Sequence, residues 1–357
     1  MSEPSETLTL GAAAAAAASA SPTTQSQEHP FEFDGRAGEY FRIWIVNLFL
    51  TIATLGIYSA WAKVRTQRYF AASTRLAGGS FDYLASPIAI LKGRLLVLAF
   101  MGIYSGSSFV SVWLQGAMGF ALFAVIPWAI TRSLAFRAHN TAWRNIRFHF
   151  DAPYGHAFGA YIGFPLLGVL SLGALYPFSI FRERKFVVEH AAFGQTPFVM
   201  GSGLREFYSA AIALLLQILL AGFVITVATA GAGALGSEAL APVGLLLVVP
   251  FYFYIFAFAA SRLTNLTYED TQLGPHRLRS DLPAPQLAVT YATNAIAILA
   301  SLGLMIPWAQ IRMARLRLSH LKLQATGDLD AFVAGQASDV ASFGSEVGEA
   351  LGIDIGL

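Results

Sequence analysis

Six stretches of this chain contain no Asp, Glu, Lys or Arg, and each is long enough to cross a lipid bilayer. A membrane-spanning helix needs roughly 20 mainly apolar residues. The longest stretch can hold two helices joined by a turn near Gly106 to Trp113. The pattern therefore predicts an all-α polytopic membrane protein with about seven apolar segments. The uncharged stretches are 43–62, 95–131, 152–181, 207–237, 239–261 and 282–311.

Three of the apolar segments end in the same motif, which predicts an internal repeat. The sequence TLGIYSAW at 54–61 recurs as SLGALYPF at 171–178 and as SLGLMIPW at 301–308. Bases follow each final aromatic residue at i+4 and i+7, so the three side chains share one stripe of a helix. We expect the aromatic ring at the membrane interface and both bases at the lipid headgroups. These residues are Trp61, Arg65, Arg68, Phe178, Arg182, Lys185, Trp308, Arg312 and Arg315.

Short basic segments with alternating polarity follow the helices and predict small β-hairpins. The segments at 73–83 and 140–150 each read as strand, turn and strand. Weaker copies lie at 190–200 and 270–281, and a degraded copy lies at 320–330. We expect these modules on the membrane surface, attached to two and a half internal repeats of about 33–149, 150–279 and 280–322.

The two ends of the chain differ from the region between them. Residues 1–30 are rich in Ala and acidic, with no Lys or Arg, and we expect them to be a disordered leader rather than a signal peptide. Residues 31–322 form the predicted transmembrane domain. Residues 323–357 contain six acids and no base, which predicts a solvated acidic tail.

The motif-bearing segments, at 43–62, 157–180 and 286–309, allow two topologies. If all seven apolar segments span the membrane, the bases divide between its two faces with a weak positive-inside bias. If the three motif-bearing segments are instead re-entrant, all 23 bases lie on the cytoplasmic side. The number of apolar segments slightly favours the seven-span topology, and the similarity of the β-modules favours the re-entrant one.

A few polar and glycine residues in these segments are candidates for helix breaks or a transport pathway. Two asparagines occupy corresponding positions, and interhelical hydrogen bonding explains them better than a polar pathway does. Glycines mark the point at which a re-entrant segment would bend. The candidate residues are Asn47, Gly56, Gly173, Asn294 and Gly303.

Composition argues against several classes of chemistry. The 23 Lys and Arg against 21 Asp and Glu give a net charge of +2, which does not indicate nucleic-acid binding. The absence of cysteine excludes disulfides, thiolate nucleophiles and Cys-ligated metals. The seven histidines form no pair at helical metal-ligand spacing, and Glu269-Asp270 is the only adjacent acid pair. We therefore expect no enzyme activity, no cofactor, no metal and no nucleic-acid partner.

The motifs resemble a known protein family. The sequences FDGRAGEYFRIW, LTIATLGIYSAWAKVRTQRYF and STRLAGGSFDY, with the terminal IDIGL, are similar to the YjgN-like bacterial inner-membrane proteins, domain of unknown function 898. The resemblance covers roughly Phe31 to Leu357. It implies an inner-membrane location and a repeat architecture, but it supplies no activity and no catalytic residues. This chain departs from the pattern by its Ala-rich leader and by Ser59-Ala60 in the first motif.

Two functions agree with these observations. The first is a transporter or channel-like protein of the bacterial inner membrane, favoured by the repeats and by the interrupted apolar segments. The alternative is a non-transporting envelope protein that binds anionic lipid or partner proteins through its basic cytoplasmic face. In both, the lipid bilayer is the main partner, and the sequence does not determine the oligomeric state.

Overall fold

Ten short antiparallel strands form a closed barrel. The computed structural model describes the backbone of residues 26–234 and 241–338, and the side chains of these ranges except 232–245. The strands are β1 (Ser26–Phe33), β2 (Thr74–Leu76), β3 (Gly79–Tyr83), β4 (Thr141–Trp143), β5 (Ile146–Phe150), β6 (Ala191–Phe193), β7 (Thr196–Val199), β8 (Gln272–Leu273), β9 (His276–Ser280) and β10 (Leu321–Thr326). Each strand pairs with the next one along the chain, and β1 also pairs with β10, which closes the barrel.

Four two-residue turns lie at one end of the barrel, here called the turn end. Such tight hairpins require positive φ angles, and Arg144 and Asn145 adopt φ of 50° and 65° between β4 and β5. Gly194 and Gly274 occupy the first turn position in the next two hairpins, with φ of 58° and 56°. All helical insertions therefore begin and end at the opposite end of the barrel, here called the junction end.

The helices at the junction end form a ring that follows the chain order. Each helix packs against its neighbours along the chain, and the last one packs against the first. Tyr40, which is buried, donates a hydrogen bond to Gln310 Oε1 at 2.7 Å where the ring closes. The elements are α1 (Ala37–Ala53), α2 (Ser59–Ala72), α3 (Pro87–Ser107), α4 (Val112–His139), α5 (Tyr154–Phe158), a π-helix (Gly159–Gly163), α6 (Phe164–Leu170), α7 (Tyr176–Glu189), α8 (Leu204–Ala234), α9 (Ala241–Tyr268), α10 (Ala284–Ala300) and α11 (Ile306–Ser319).

Four helices of the described chain are long and apolar enough to cross a membrane. They are α3, α4, α8 and α9, with candidate spans at Pro87–Ser107, Val112–His139, Leu204–Gly231 and Leu246–Tyr268. They come as two pairs, α3 with α4 and α8 with α9, so the chain can cross the bilayer in the first helix of a pair and return to the barrel in the second. In the most apolar 18-residue stretch of each span, only 0% to 17% of the residues are buried. Most of the surface of these helices is therefore left for lipid.

The three motif-bearing segments are helical hairpins that reverse direction. The first hairpin is α1 with α2, the middle hairpin is α6 with α7, and the last hairpin is α10 with α11. At each reversal a leucine and a glycine have positive φ, and the glycine N–H donates to the carbonyl five residues earlier, at 2.7 to 2.9 Å. The leucines are 94% to 99% exposed at the tips. These pairs are Leu55 and Gly56, Leu172 and Gly173, and Leu302 and Gly303.

The predicted all-α fold with about seven apolar segments is wrong. Strands β5 and β6 flank the middle segment and pair directly, with Phe148 opposite Phe193, so this segment cannot carry them to opposite sides of a membrane. The uncharged length that suggested a span is shared between two antiparallel helices. The β-modules are likewise not separate surface hairpins, because pairing between modules joins them into one barrel without free edges.

Apolar side chains line the barrel interior and form the main buried cluster, which includes Trp143, Phe193 and Leu323. His276 is the titratable group inside this region, and it is only 1% exposed. Its Nδ1 accepts a hydrogen bond from the Thr326 N–H at 3.2 Å, and its ring packs edge-on against Phe332. Burial, and secondarily the charge of His29, lowers the pKa of His276. His276 therefore remains neutral near pH 7, and the barrel interior is uncharged.

The turn end is covered by residues 329–338, which are helical and are here called the capping helix. Leu329 and Val333 are buried in the barrel core, and Asp330 forms an ion pair with Arg144. The barrel thus extends into both predicted terminal regions, because β1 begins at Ser26 and the capping helix follows β10. The rest of the predicted leader and tail, 1–25 and 339–357, lies outside the described residues.

The fold makes a direct prediction about membrane sidedness. Single cysteines at Asn145 and Gln195, which are both exposed at the turn end, should react with an impermeant thiol reagent on the same side of the membrane, in inverted vesicles or in intact cells. A cysteine at Ser108, in the loop between α3 and α4, should show the opposite accessibility. Because the natural chain has no cysteine, the labelling has no background, and opposite labelling of Asn145 and Gln195 would contradict the barrel.

The hairpin reversals should be sensitive to side chains at their glycines. Gly173→Ala should lower the unfolding free energy by about 1–2 kcal/mol, because the left-handed conformation is unfavourable for residues with a Cβ atom. Gly222→Ala is the control, because Gly222 lies inside helix α8 and an added Cβ would meet nothing within 4 Å. Thermal unfolding of the detergent-solubilised variants should show a loss of stability for Gly173→Ala alone.

Candidate functional site

The first and last hairpins are each held together by an asparagine between their arms. Asn47 Nδ2 donates to the Ala62 carbonyl at 3.4 Å, and Asn294 Nδ2 donates to the Ala309 carbonyl at 3.3 Å. Both asparagines are buried. The structure thus places these predicted pathway residues in interhelical hydrogen bonds.

The predicted interface bases of these two hairpins also have partners within the protein. Arg312 Nη1 donates to Asn294 Oδ1 at 3.2 Å, and Arg65 Nη1 lies 3.5 Å from Asn47 Oδ1. One helical turn further, the second base of each hairpin donates to backbone carbonyls beside the barrel. Arg68 binds Tyr83 and Ala85, and Arg315 binds Gly35. These four arginines therefore fasten the hairpins to themselves and to the barrel.

The middle hairpin differs at the corresponding positions. Phe164 occupies the place taken by asparagine in the other two, and the Arg182 guanidinium lies over its ring at 4.9 Å. Lys185 approaches Glu189 Oε1 at 3.7 Å instead of binding a backbone carbonyl. Among the described residues Arg182 has no hydrogen-bonding partner. The two bases of this hairpin are therefore less engaged than their counterparts.

Arg182 and Lys185 line a pocket of about 260 Å³ at the junction end of the barrel. Glu189 and two histidines, His156 and His190, complete its polar lining, and His156 Nδ1 lies 3.2 Å from His190 Nε2. The His190 Nδ1 lies 2.9 Å from the Phe186 carbonyl, and in the neutral tautomer that donates from Nδ1 to this carbonyl, Nε2 is an acceptor for His156. Two cationic side chains against one carboxylate give the pocket a net positive charge, which favours an anion.

The wall of the pocket is formed by an irregular helix. The π-helix begins at Gly159, and Gly155 lies one turn earlier. A Cβ atom on Gly159 would lie 3.4 Å from the Phe164 ring, which is already a close contact. Single π-helical turns within an α-helix are frequent at functional sites. Here the wider turn and the small residues leave the bases accessible.

The remaining predicted interface residues pack within their own hairpins. Trp61 stacks on Tyr58, Phe178 packs edge-on against Phe164, and Trp308 lies under the Arg312 guanidinium at 5.3 Å. Sequence reasoning missed the pair His156 and His190, because 34 residues separate them and only the hairpin brings them together. In residues 26–234 and 241–338 no group of three or more His, Cys, Asp or Glu forms a metal-ligand set.

Comparison with known proteins places the chain near one family. The profile described as "bacterial protein of unknown function (DUF898)" matches residues 28–350. The inner membrane protein YjgN of Salmonella typhimurium is 32% identical over 151 residues, which are 41% of this chain and 38% of that protein. The YjgN proteins of Escherichia coli O157:H7 and Escherichia coli K12 are each 26% identical over 149 residues, 42% of this chain and 37% of theirs. The chain thus spans less than half the length of these relatives. No solved structure matches it.

The asparagine that joins the arms of the last hairpin should contribute to stability. Asn294→Leu should lower the unfolding free energy by about 1–3 kcal/mol, because it removes the two hydrogen bonds that Asn294 makes to the other arm of the hairpin. Ile296 lies on the same helix and is 66% exposed, so Ile296→Leu should change the unfolding free energy by less than about 0.5 kcal/mol. Thermal unfolding in detergent measures both variants, and equal stabilities would argue against the interhelical role.

Proposed function

The chain belongs to the DUF898 family of bacterial proteins, and on that premise we propose that it is a non-enzymatic protein that binds anionic lipid at the middle hairpin. Its location in the inner membrane, which the motifs predicted, is confirmed by its curated relatives and agrees with its four apolar helices. The proposal assigns the headgroup to the pocket of Arg182, Lys185, His156 and His190.

The observation that carries this proposal is the difference between the hairpins. The same two base positions are occupied by hydrogen bonds in the first and last hairpins, but they face an open pocket in the middle one. Phosphate oxygens are good acceptors for guanidinium and ammonium donors. A phosphate-bearing headgroup would therefore supply the partners that asparagine and backbone carbonyls supply elsewhere.

The depth of the pocket supports a ligand that comes from the bilayer. Val169, Leu170 and Leu172, near the tip of the middle hairpin, are 69%, 70% and 99% exposed, as expected of side chains in contact with acyl chains. Arg182 lies six residues after α7 begins, which is about 9 Å along a helix. With its tip in the hydrocarbon region, the hairpin would hold its two bases at the depth of the headgroups.

A matched pair of double variants tests the proposal. Arg182→Gln with Lys185→Gln should weaken the binding of phosphatidylglycerol to the purified protein about 30-fold, since each base contributes about 1 kcal/mol near a membrane surface. Arg65→Gln with Arg68→Gln removes the same charge from the first hairpin and should change the affinity less than threefold. Native mass spectrometry of the detergent-solubilised protein gives both values, with phosphatidylcholine as the neutral reference.

Two outcomes would contradict lipid binding at this site. The first is an equal loss of affinity in both double variants, which would mean that only net charge matters. The second is unchanged phosphatidylglycerol binding in the Arg182 and Lys185 variant. Thermal unfolding of each variant checks that the protein remains folded at the assay temperature.

Transport is the second candidate function. Helices that are interrupted at corresponding positions are common in transporters built from internal repeats, and we propose that the three hairpins are copies of such a repeat. In the described chain the Gln217 side-chain oxygen in α8 is buried without a hydrogen-bond partner, as a pathway residue could be. Proteoliposomes containing the purified protein should then move a solute that empty liposomes retain, and a broad ion and metabolite screen without flux would exclude this candidate.

A further inference from the structure

The barrel encloses a second, chemically different space. A cavity of about 430 Å³ lies along its axis, and its walls are almost entirely hydrocarbon. The hydroxyl groups of the two threonines in its wall are satisfied, because Thr267 and Thr271 each donate to the backbone carbonyl four residues earlier. The other lining residues are aromatic and aliphatic side chains contributed by all ten strands and by the helices at both ends, including Phe31, Trp143, Phe148 and Leu323.

The two ends of this cavity are different. At the turn end, Leu329 and Phe332 of the capping helix form its floor. At the junction end it is lined by Val187 and Val188 of α7 and by Tyr268, the last residue of a candidate membrane span. The capping helix therefore closes the cavity at the turn end, and the membrane helices adjoin it at the junction end.

A smaller pocket continues from the junction end of the cavity towards the membrane. It has a volume of about 350 Å³, and it shares Thr267 and Tyr268 with the cavity. Its lining includes Phe256 and Leu263 of α9 and one charged residue, Arg184 of α7. The Arg184 Nε is buried and has no hydrogen-bond partner among the described residues. A cationic donor thus lies beside the entrance to an apolar cavity.

The shape and chemistry of these two spaces select one class of ligand. Water finds few hydrogen-bonding partners in an apolar cavity, and an empty cavity of this size would forgo the packing that normal protein interiors have. We propose that the barrel holds the acyl chain of a single-chain anionic amphiphile, with its carboxylate or phosphate at Arg184. A long-chain fatty acid and a lysophospholipid share this chemistry. A barrel of ten strands is wider than an eight-stranded one, which can already hold a small ligand.

This site does not depend on the function proposed above. The headgroup pocket lies between the arms of the middle hairpin and uses Arg182 and Lys185, whereas the amphiphile site uses Arg184 and the barrel interior. Variants of the first pair should leave binding at the second site unchanged, so failure of one proposal is distinguishable from failure of the other.

A cavity-filling variant and its neighbour test the position of the acyl chain. Ala191 lines the cavity near its junction end, and Ala192 is the next residue of β6 and lies outside the cavity lining. Ala191→Trp should weaken the binding of oleate to the full-length protein in amphipol at least tenfold, as measured by displacement of a fluorescent fatty acid. Ala192→Trp should change it less than twofold. Equal affinities for the two variants would overturn the proposal.

A second variant tests the head of the ligand and does not depend on repacking the barrel. Arg184→Gln should weaken oleate binding about tenfold and leave oleyl alcohol binding unchanged, because the alcohol has the same chain without the charge. Competition by lysophosphatidylglycerol against oleate identifies whether a phosphate or a carboxylate binds more tightly. The proposed site is wrong if neither amphiphile displaces the fluorescent fatty acid. It is also wrong if Arg184→Gln weakens oleyl alcohol binding as much as oleate binding.

Discussion

Closure of the barrel is the constraint on which the rest of the structure depends. A strand edge left unpaired would expose backbone donors and acceptors, and here β1 pairs with both β2 and β10 so that no edge remains. The tight turns occupy one end of the barrel, so every longer insertion has to leave and return at the other. The membrane helices therefore come as pairs, and the motif-bearing segments reverse before they can cross.

Reversal within an apolar region requires that the backbone at the tip is satisfied. The glycine N–H of each hairpin, such as Gly173 to the Gly168 carbonyl at 2.9 Å, binds a carbonyl in the last turn of the interrupted helix. Behind the tip, Asn47 and Asn294 join the apolar arm to the basic one. These interactions hold a basic helix beside an apolar one.

The middle hairpin keeps this geometry but changes its side chains. With Phe164 in place of asparagine, Arg182 loses an internal partner and faces a pocket, while the backbone turn at Leu172 and Gly173 is the same as in the other hairpins. The barrel next to this hairpin is also incompletely packed, because its ten strands enclose a cavity that their side chains do not fill. The pocket lies at the junction end, and the cavity extends from its floor at the turn end up to the junction end.

Local patterns of the sequence determined the membrane location, the β-hairpins and the shared stripe of bases, because each depends on residues within one or two turns of each other. The two-residue turns at 77–78 and 144–145, for example, are specified by their own neighbours. The tertiary structure alone decided that the hairpins form one barrel, since β1 and β10 pair across about 300 residues of sequence. It also decided that 157–180 turns back, because a count of uncharged residues is the same for one spanning helix and for two antiparallel arms. The meeting of His156 with His190, and of Arg182 with its pocket, follows from that reversal, which no local pattern could have specified.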